Sequence, residues 1–195
     1  MQKDTKSKLV YGVGLNDVGR ATKMTQDGKL LQCNFYTAWT GMLRRCYSKK
    51  YQEKYPTYIG CYVCDEWMTF GNFKAWMSNQ SWQGRHLDKD ILFVGNKAYS
   101  PDNCIFVDPI VNTFIEDRSL ARGEFLIGAS WHSRDGAFQS HCANPITKKR
   151  EYLGSFKSDS DAHQAWKKRK HEVSCQLAEL QTDDRVANAL RTRYL

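Results

Sequence analysis

The stretch that most limits the fold lies between Phe125 and Arg169. Three short β-prone runs, Phe125 to His132, Ala137 to Cys142 and Glu151 to Phe156, are separated by Arg134-Asp-Gly136 and by Asn144-Pro-Ile-Thr-Lys-Lys149. Gly, Asp, Asn and Pro at those places read as turns. Ser158 or Ser160 can then cap a helix, with Asp161, Ala162, Ala165, Trp166 and Arg169 behind it and a run to about Leu180. Thr182-Asp-Asp184 opens a short terminal helix. This part of the chain is therefore confined to strand, turn, strand, turn, strand and helix.

The upstream part reads differently. Residues 1–32 are polar and carry Gly12, Gly14, Gly19 and Gly28 without clear periodicity. From Asn34 the pattern turns helical, because Tyr36, Trp39, Leu43 and Cys46 recur at three- and four-residue spacing as a buried stripe. Arg44, Arg45, Lys49 and Lys50 follow it. Tyr58 to Cys64 is short and β-prone, and a second helix is predicted over Trp67 to Met77. Between Leu87 and Val107 two short apolar runs flank Gly95-Asn96, which reads as a β-hairpin with a long loop. Asp108-Pro109 then starts a helix through Asn112 to about Asp117, since Asp caps well and Pro suits the first helical position. Residues 118–123 read as a linker. The expected class is α+β, with a domain over 1–117, a second over 124–181 and a terminal helix over 182–195.

Charge narrows the partner. Residues 1–55 hold eleven Lys and Arg against four Asp and Glu, residues 56–121 five against eight, and residues 122–195 thirteen against nine. Basic flanks suit a polyanion such as nucleic acid, because phosphate neutralisation releases counterions. An acidic middle opposes that binding unless it holds a cation. The plain alternative is a solvated surface of mixed charge. Aromatic residues at 13% exclude a disordered chain. No apolar run approaches 18 residues and none of 7–15 follows the start, so neither a membrane span nor a secretory leader is expected. Seven Cys, an odd number, point to reduced thiols in a cytosol.

The middle segment carries the first candidate chemistry. Asp88 and Asp90 end an apolar run, Asn103 enters the next one, and Asn112 falls on the following helix. Oxygen ligands of this kind suit Mg²⁺, and one such ion can stabilise a departing phosphodiester oxygen. Leu87-Asp-Lys-Asp90, Ser100-Pro-Asp-Asn-Cys-Ile-Phe-Val107 and Asn112 resemble the ββα-metal fold of HNH endonucleases, in the phage homing-type branch whose last motif residue is Asn. The helical block from Tyr36 to Tyr47 and from Cys64 to Trp76 resembles the lead-in of that group. The resemblance implies Asp88 and Asn112 as ligands of Mg²⁺ or Mn²⁺ and Asn103 as the group orienting a general base. It also implies a His directly after Asp88, where this chain has Lys89. A buried Lys of depressed pKa, His86 or Asp90 could take that role. A ββα segment kept for folding or DNA docking is the alternative.

Residues 123–170 resemble the Apetala-type integrase-like DNA-binding domain. Gly128-Ala-Ser-Trp131, Phe138-Gln-Ser-His-Cys142, Tyr152-Leu-Gly-Ser-Phe156 and Asp161-Ala-His-Gln-Ala-Trp166 carry that likeness. It implies a three-stranded antiparallel sheet packed on one helix, with the sheet in the major groove of double-stranded DNA, where base edges are distinguishable. Alternation then sends Ala129, Trp131, Phe138, Ser140, Cys142 and Leu153 to the helix. Ser130, His132, Gln139, His141, Arg150 and Tyr152 face the groove, and Lys148 and Lys149 in the turn face phosphate. The Arg-rich first strand of the plant relatives is missing. Lys148-Lys-Arg150 could equally be a solvated turn, and Lys167-Lys-Arg-Lys170 an ordinary helix face.

Cys61-x-x-Cys64 could be half of a Zn²⁺ site completed by Cys33 and Cys46, but that spacing matches no standard pattern. Gly12-Val-Gly14 is too short for a dinucleotide loop. The sequence thus predicts a cytoplasmic, monomeric, phage-type DNA endonuclease that nicks with Mg²⁺ or Mn²⁺. A DNA-binding protein with a degenerate site, acting as a regulator or as a block on a host process, is the rival.

Overall fold

The computed structural model describes residues 9–19, 23–26, 29–116 and 124–195. The protein is α+β. The chain divides into two compact units at Val107/Asp108. The linker expected at 118–123 lies outside the described residues, and the division falls ahead of it. The expected helix after Asp108 forms, but it belongs to the second unit.

The first unit opens with strands β1 (Lys23–Gln26) and β2 (Lys29–Gln32), paired antiparallel with Lys23 opposite Gln32. Helices α1 (Asn34–Tyr47) and α2 (Lys49–Lys54) follow, separated by Ser48, which accepts from the Tyr51 N–H. Strand β3 (Tyr62–Val63) is the only paired strand in the run expected from Tyr58 to Cys64. Pro56–Tyr58 form a 3-10 turn, as Pro favours. Helix α3 (Phe70–Ser78) comes next. Strand β4 (His86–Asp88) pairs antiparallel with β6 (Ile105–Val107), and β5 (Ala98–Tyr99) pairs parallel with β3. The expected hairpin therefore exists as β4 and β6. The apolar run directly before Gly95-Asn96 is not a strand, for Phe93 and Val94 stand 57% and 76% exposed in the connecting loop.

The core of this unit is aromatic. Trp39, Trp67, Phe70 and Phe73 are fully buried. The Trp39 indole N–H donates to the Trp67 carbonyl at 2.7 Å, which removes the cost of burying that donor. The stripe on α1 read from the sequence is this contact surface. Gly14 explains the polar start: a Cβ there would lie 2.4 Å from Leu43 Cδ1 and 2.8 Å from the Trp39 ring. Glycine lets the Val10–Leu15 segment lie against the core, where Leu15 exchanges backbone bonds with Met68 and Phe70.

The second unit opens with α4 (Pro109–Ile115) and continues with β7 (Ala129–His132), β8 (Ala137–Asn144) and β9 (Lys149–Phe156). These strands form one antiparallel sheet in the order β7-β8-β9. Helix α5 (Asp159–Glu179) is capped by Ser158, which accepts from the Asp161 N–H, and α6 (Asp184–Thr192) by Asp183. On β8 every second residue, Ser140, Cys142 and Asn144, is buried, the period expected of a sheet with one face on a helix. The Asn144 amide donates to Glu151, which also accepts from Arg169 of α5 at 2.6 Å. That guanidinium holds the Glu151 carboxyl below the usual range.

Lys170 ties α4 to α5. Its ammonium donates to the Phe114 carbonyl at 2.8 Å and sits 3.6 Å from the centre of the Phe114 ring, with Trp166 and Tyr194 around it. Burial pulls its pKa down to about 8. Between that value and the ordinary lysine range the unfolded chain binds the extra proton, so stability contributed at this site rises with pH. Relative to Lys170→Met, the wild type is expected to gain about 2–3 kcal/mol in urea unfolding between pH 8 and pH 10. A pH-independent difference between the two proteins would refute this.

Among the described residues no helix is long and apolar enough to cross a membrane.

Candidate nucleic-acid interface

The two faces of the β7-β8-β9 sheet are chemically unlike. Registers Trp131 to Phe138, Ala129 to Ser140 and Cys142 to Glu151 lie on the helix side. Registers Ser130 to Gln139 and His141 to Tyr152 lie on the other. Ser130, Arg150 and Tyr152 are exposed, and the last is 57% so. The expected outward set is thus on one face. Trp131 lies in helix-side register and touches Phe138, yet it remains 48% exposed.

Leu153 departs from simple alternation. The ladder slips after Ser140, so Gly154 pairs with Ser140 and Tyr152 with His141, leaving Leu153 as the extra residue of a bulge. Gly154 has φ +129°, which a side chain rarely adopts. The slip puts Ser155 on the outer face, where its hydroxyl lies 2.8 Å from the Tyr152 hydroxyl. Ser155 was missed from the sequence because strict alternation hides a bulge.

Asp135 in the β7–β8 turn was also missed. It accepts from Gln139 at 3.1 Å and from Arg134 at 3.2 Å, and stands 3.0 Å from His132 Nδ1. One of the expected base readers, Gln139, is therefore held by a carboxylate, and His132 stands beside the same carboxylate without a hydrogen bond from its Nδ1. His141 packs on the Tyr152 ring, and its buried Nδ1 has no partner. Desolvation first, and then Arg150, push its pKa down, which favours the neutral ring. Lys148, Lys149 and Arg150 are exposed, and no carboxylate pairs with them among the described residues. Lys148 sits at φ 58°, in a turn that Asn144 organises by accepting from the Ile146 and Thr147 N–H groups. Of the four cations Lys167 to Lys170, Arg169 is paired with Glu151 and Glu172, and Lys170 is in its aromatic cage.

The carboxylate segment lies in the first unit. Asp88 ends β4 and is half-buried. Its Oδ1 accepts from the Asp90 and Ile91 N–H groups at 2.8 and 2.6 Å. Burial still raises its pKa above the usual value. Lys89, at the base position, is 4% exposed and points into the protein. Its ammonium donates to both Asp90 oxygens at 2.7 Å and to the Asn96 carbonyl at 2.6 Å. Lys89 and Asp90, two of the candidate bases, are thus each other's counterions. Asn103 does not orient either of them: its amide donates to Asn96 Oδ1 at 3.4 Å. Asn96 is the hub that sequence reading missed. Its own amide donates to the carbonyls of Lys89 and Ala98, and its Oδ1 accepts from the Ala98 N–H. The Gly95-Asn96 turn signal was visible, but nothing in it told a turn residue from a bridging one. His86 is exposed at the start of β4, on the same side of the strand as Asp88. Asn112, the second implied ligand, lies on α4 in the second unit.

This donor set does not fit a divalent ion well. Asp88 has one oxygen taken by two backbone donors, Asp90 is neutralised by Lys89, and an ammonium occupies the neighbouring position. Among the described residues no three His, Cys, Asp or Glu side chains are grouped to hold a metal ion. All seven cysteines are free thiols. Burial pushes the Cys46 thiol up to about 12 and raises those of Cys61 and Cys64, which favours the protonated form over thiolate.

No family model matches the chain, and no match is found among curated proteins or solved structures.

Proposed function

We propose that this protein binds double-stranded DNA through the outer face of its β7-β8-β9 sheet and acts by occupying DNA rather than by cutting it. One observation carries the reading. The sheet spends its inner face on α5 and leaves Ser130, His141, Arg150 and Tyr152 on the outer face, with Lys148 and Lys149 exposed at the adjoining β8–β9 turn and no carboxylate partner on any of the three cations among the described residues. A sheet of that kind can enter a major groove, with the cations on flanking phosphates. The Lys89–Asp90 pair supports the absence of cutting. A nuclease of the resembled type needs a proton acceptor at position 89, and here an ammonium is held by three acceptors. The role that fits is that of a regulator or of a block on a process that uses DNA.

The test is duplex binding across a salt series, beside incubation of supercoiled plasmid with Mg²⁺ or Mn²⁺. Wild type is expected to bind with steep salt dependence and leave the plasmid intact. Replacing Lys148, Lys149 and Arg150 together by Ala is expected to lower the slope of log K against log salt by about 2–3, at about 0.9 per phosphate contact. Metal-dependent nicking that disappears in Asp88→Ala and Asn112→Ala would replace this reading with an endonuclease. Salt-insensitive, weak association would remove DNA as the partner.

A further inference from the structure

We infer that the first unit carries a second surface for the phosphate backbone of duplex DNA, made by α2 and the last turn of α1. The inference rests on the DNA-binding reading above but uses different residues. Helix α2 is Lys49-Lys50-Tyr51-Gln52-Glu53-Lys54 and has no buried residue. Arg44 is exposed at the end of α1. Between positions 44 and 54 five cations face one carboxylate, Glu53. No ion pair joins Arg44, Lys49, Lys50 or Lys54 to a carboxylate among the described residues. An ordinary solvated face mixes both signs about evenly; this one sets a single carboxylate, Glu53, among five cations.

Aromatic rings support two of the four cations instead. The Arg44 guanidinium lies 4.8 Å from the Tyr51 ring centre, and the Lys54 ammonium 5.2 Å from that of Tyr55. The Tyr51 and Tyr55 rings pack against each other at a tilt of 40°, with centroids 4.7 Å apart. Such contacts position a cation without neutralising it. The surface is also fixed in shape. Gln52 reaches across from α2 and donates to the carbonyls of Arg45, Cys46 and Tyr58 at 3.2, 2.7 and 3.2 Å. Those bonds lock a six-residue helix that would be unstable alone. A rigid row of uncompensated cations is complementary to phosphate. A duplex fits better than a single strand, because the Tyr51 and Tyr55 faces are occupied by cations and by each other. Single-strand binding needs open ring faces for bases to stack on.

The experiment uses the full chain and fluorescence anisotropy on a short duplex across a salt series. Replacing Lys49, Lys50 and Lys54 together by Ala is expected to reduce the salt slope by about 2–3. The same three positions changed to Arg should keep it, and since none is buried both variants should keep the wild-type circular dichroism. With Lys148, Lys149 and Arg150 already Ala, the further loss of the three α2 lysines should abolish the remaining salt-sensitive binding. A wild-type slope in the α2 Ala variant, while wild type itself binds, overturns this surface and leaves the sheet reading standing. A loss confined to single-stranded DNA overturns the duplex assignment. If wild type shows no salt-sensitive binding, the sheet reading and this one fall together.

Discussion

Gly128→Ala is expected to destabilise the second unit by about 2–5 kcal/mol, far more than a surface glycine change does. Gly128 has φ +85°, and a Cβ there would lie 2.1 Å from Trp166 Cγ, 2.4 Å from its Cβ and 2.5 Å from its Cδ1. Those atoms are the root of the Trp166 side chain, so no rotamer change relieves the clash; α5 itself must move. The ring is held as well, stacked at 5.7 Å on His163, whose Nδ1 lies 2.8 Å from the Ile127 carbonyl. Gly136→Ala is the control. It also has a positive φ, +56°, but nothing lies within 4 Å of an added Cβ. It should cost about 1 kcal/mol from backbone strain alone. Urea unfolding followed by tryptophan fluorescence compares the two. Equal losses in both variants would show that the helix does not rest on Gly128.

The same glycine shows what the sequence made legible. Gly128, the three β-prone runs and the Ser158-capped helix are local signals, and they produced the sheet, the helix and most of the inward and outward assignments. Local signals failed where a distant partner decides. Strands β1 and β2 have no apolar alternation to announce them, and Phe93 and Val94 are apolar yet exposed in a loop. The bulge at Leu153 depends on the neighbouring strand, so Ser155 was not anticipated on the outer face. The carboxylate segment was legible as a spacing of Asp88, Asn103 and Asn112, but not as a geometry. Spacing could not show that Lys89 turns inward, nor that Asn96 takes the hydrogen bond expected of a base. The four unpaired cations from Arg44 to Lys54 were visible as charge; only the rings beside Arg44 and Lys54 and the Gln52 anchor distinguish a built surface from a solvated one.

Lys89→Met is expected to destabilise the first unit by about 2–4 kcal/mol. The Lys89 side chain is 5% exposed and that of Asp90 38%. Removing a buried partner of an ion pair typically costs about 3–5 kcal/mol, because the remaining charge is left desolvated. Here water reaches Asp90 in part, which brings the cost down. The Asn96 carbonyl also loses its donor, so of the two bonds joining residue 89 to Asn96 only the one from the Asn96 amide to the backbone carbonyl of residue 89 remains to hold the loop between β4 and β5. If the pair is the cause, Lys89→Met/Asp90→Asn should be more stable than Lys89→Met alone, a positive coupling in the double-mutant cycle. Lys89→His restores the residue type of the resembled nucleases, but an imidazole is too short to reach both Asp90 and the Asn96 carbonyl. It should therefore lose stability in the same range without gaining metal-dependent nicking. Duplex affinity through the β7-β8-β9 sheet should survive in all three variants at temperatures where they stay folded. A Lys89→His protein that is as stable as wild type and nicks plasmid would mean that the inward lysine is a replaceable occupant of a working site. The expected result instead makes Lys89 part of the architecture that holds the β4–β5 loop.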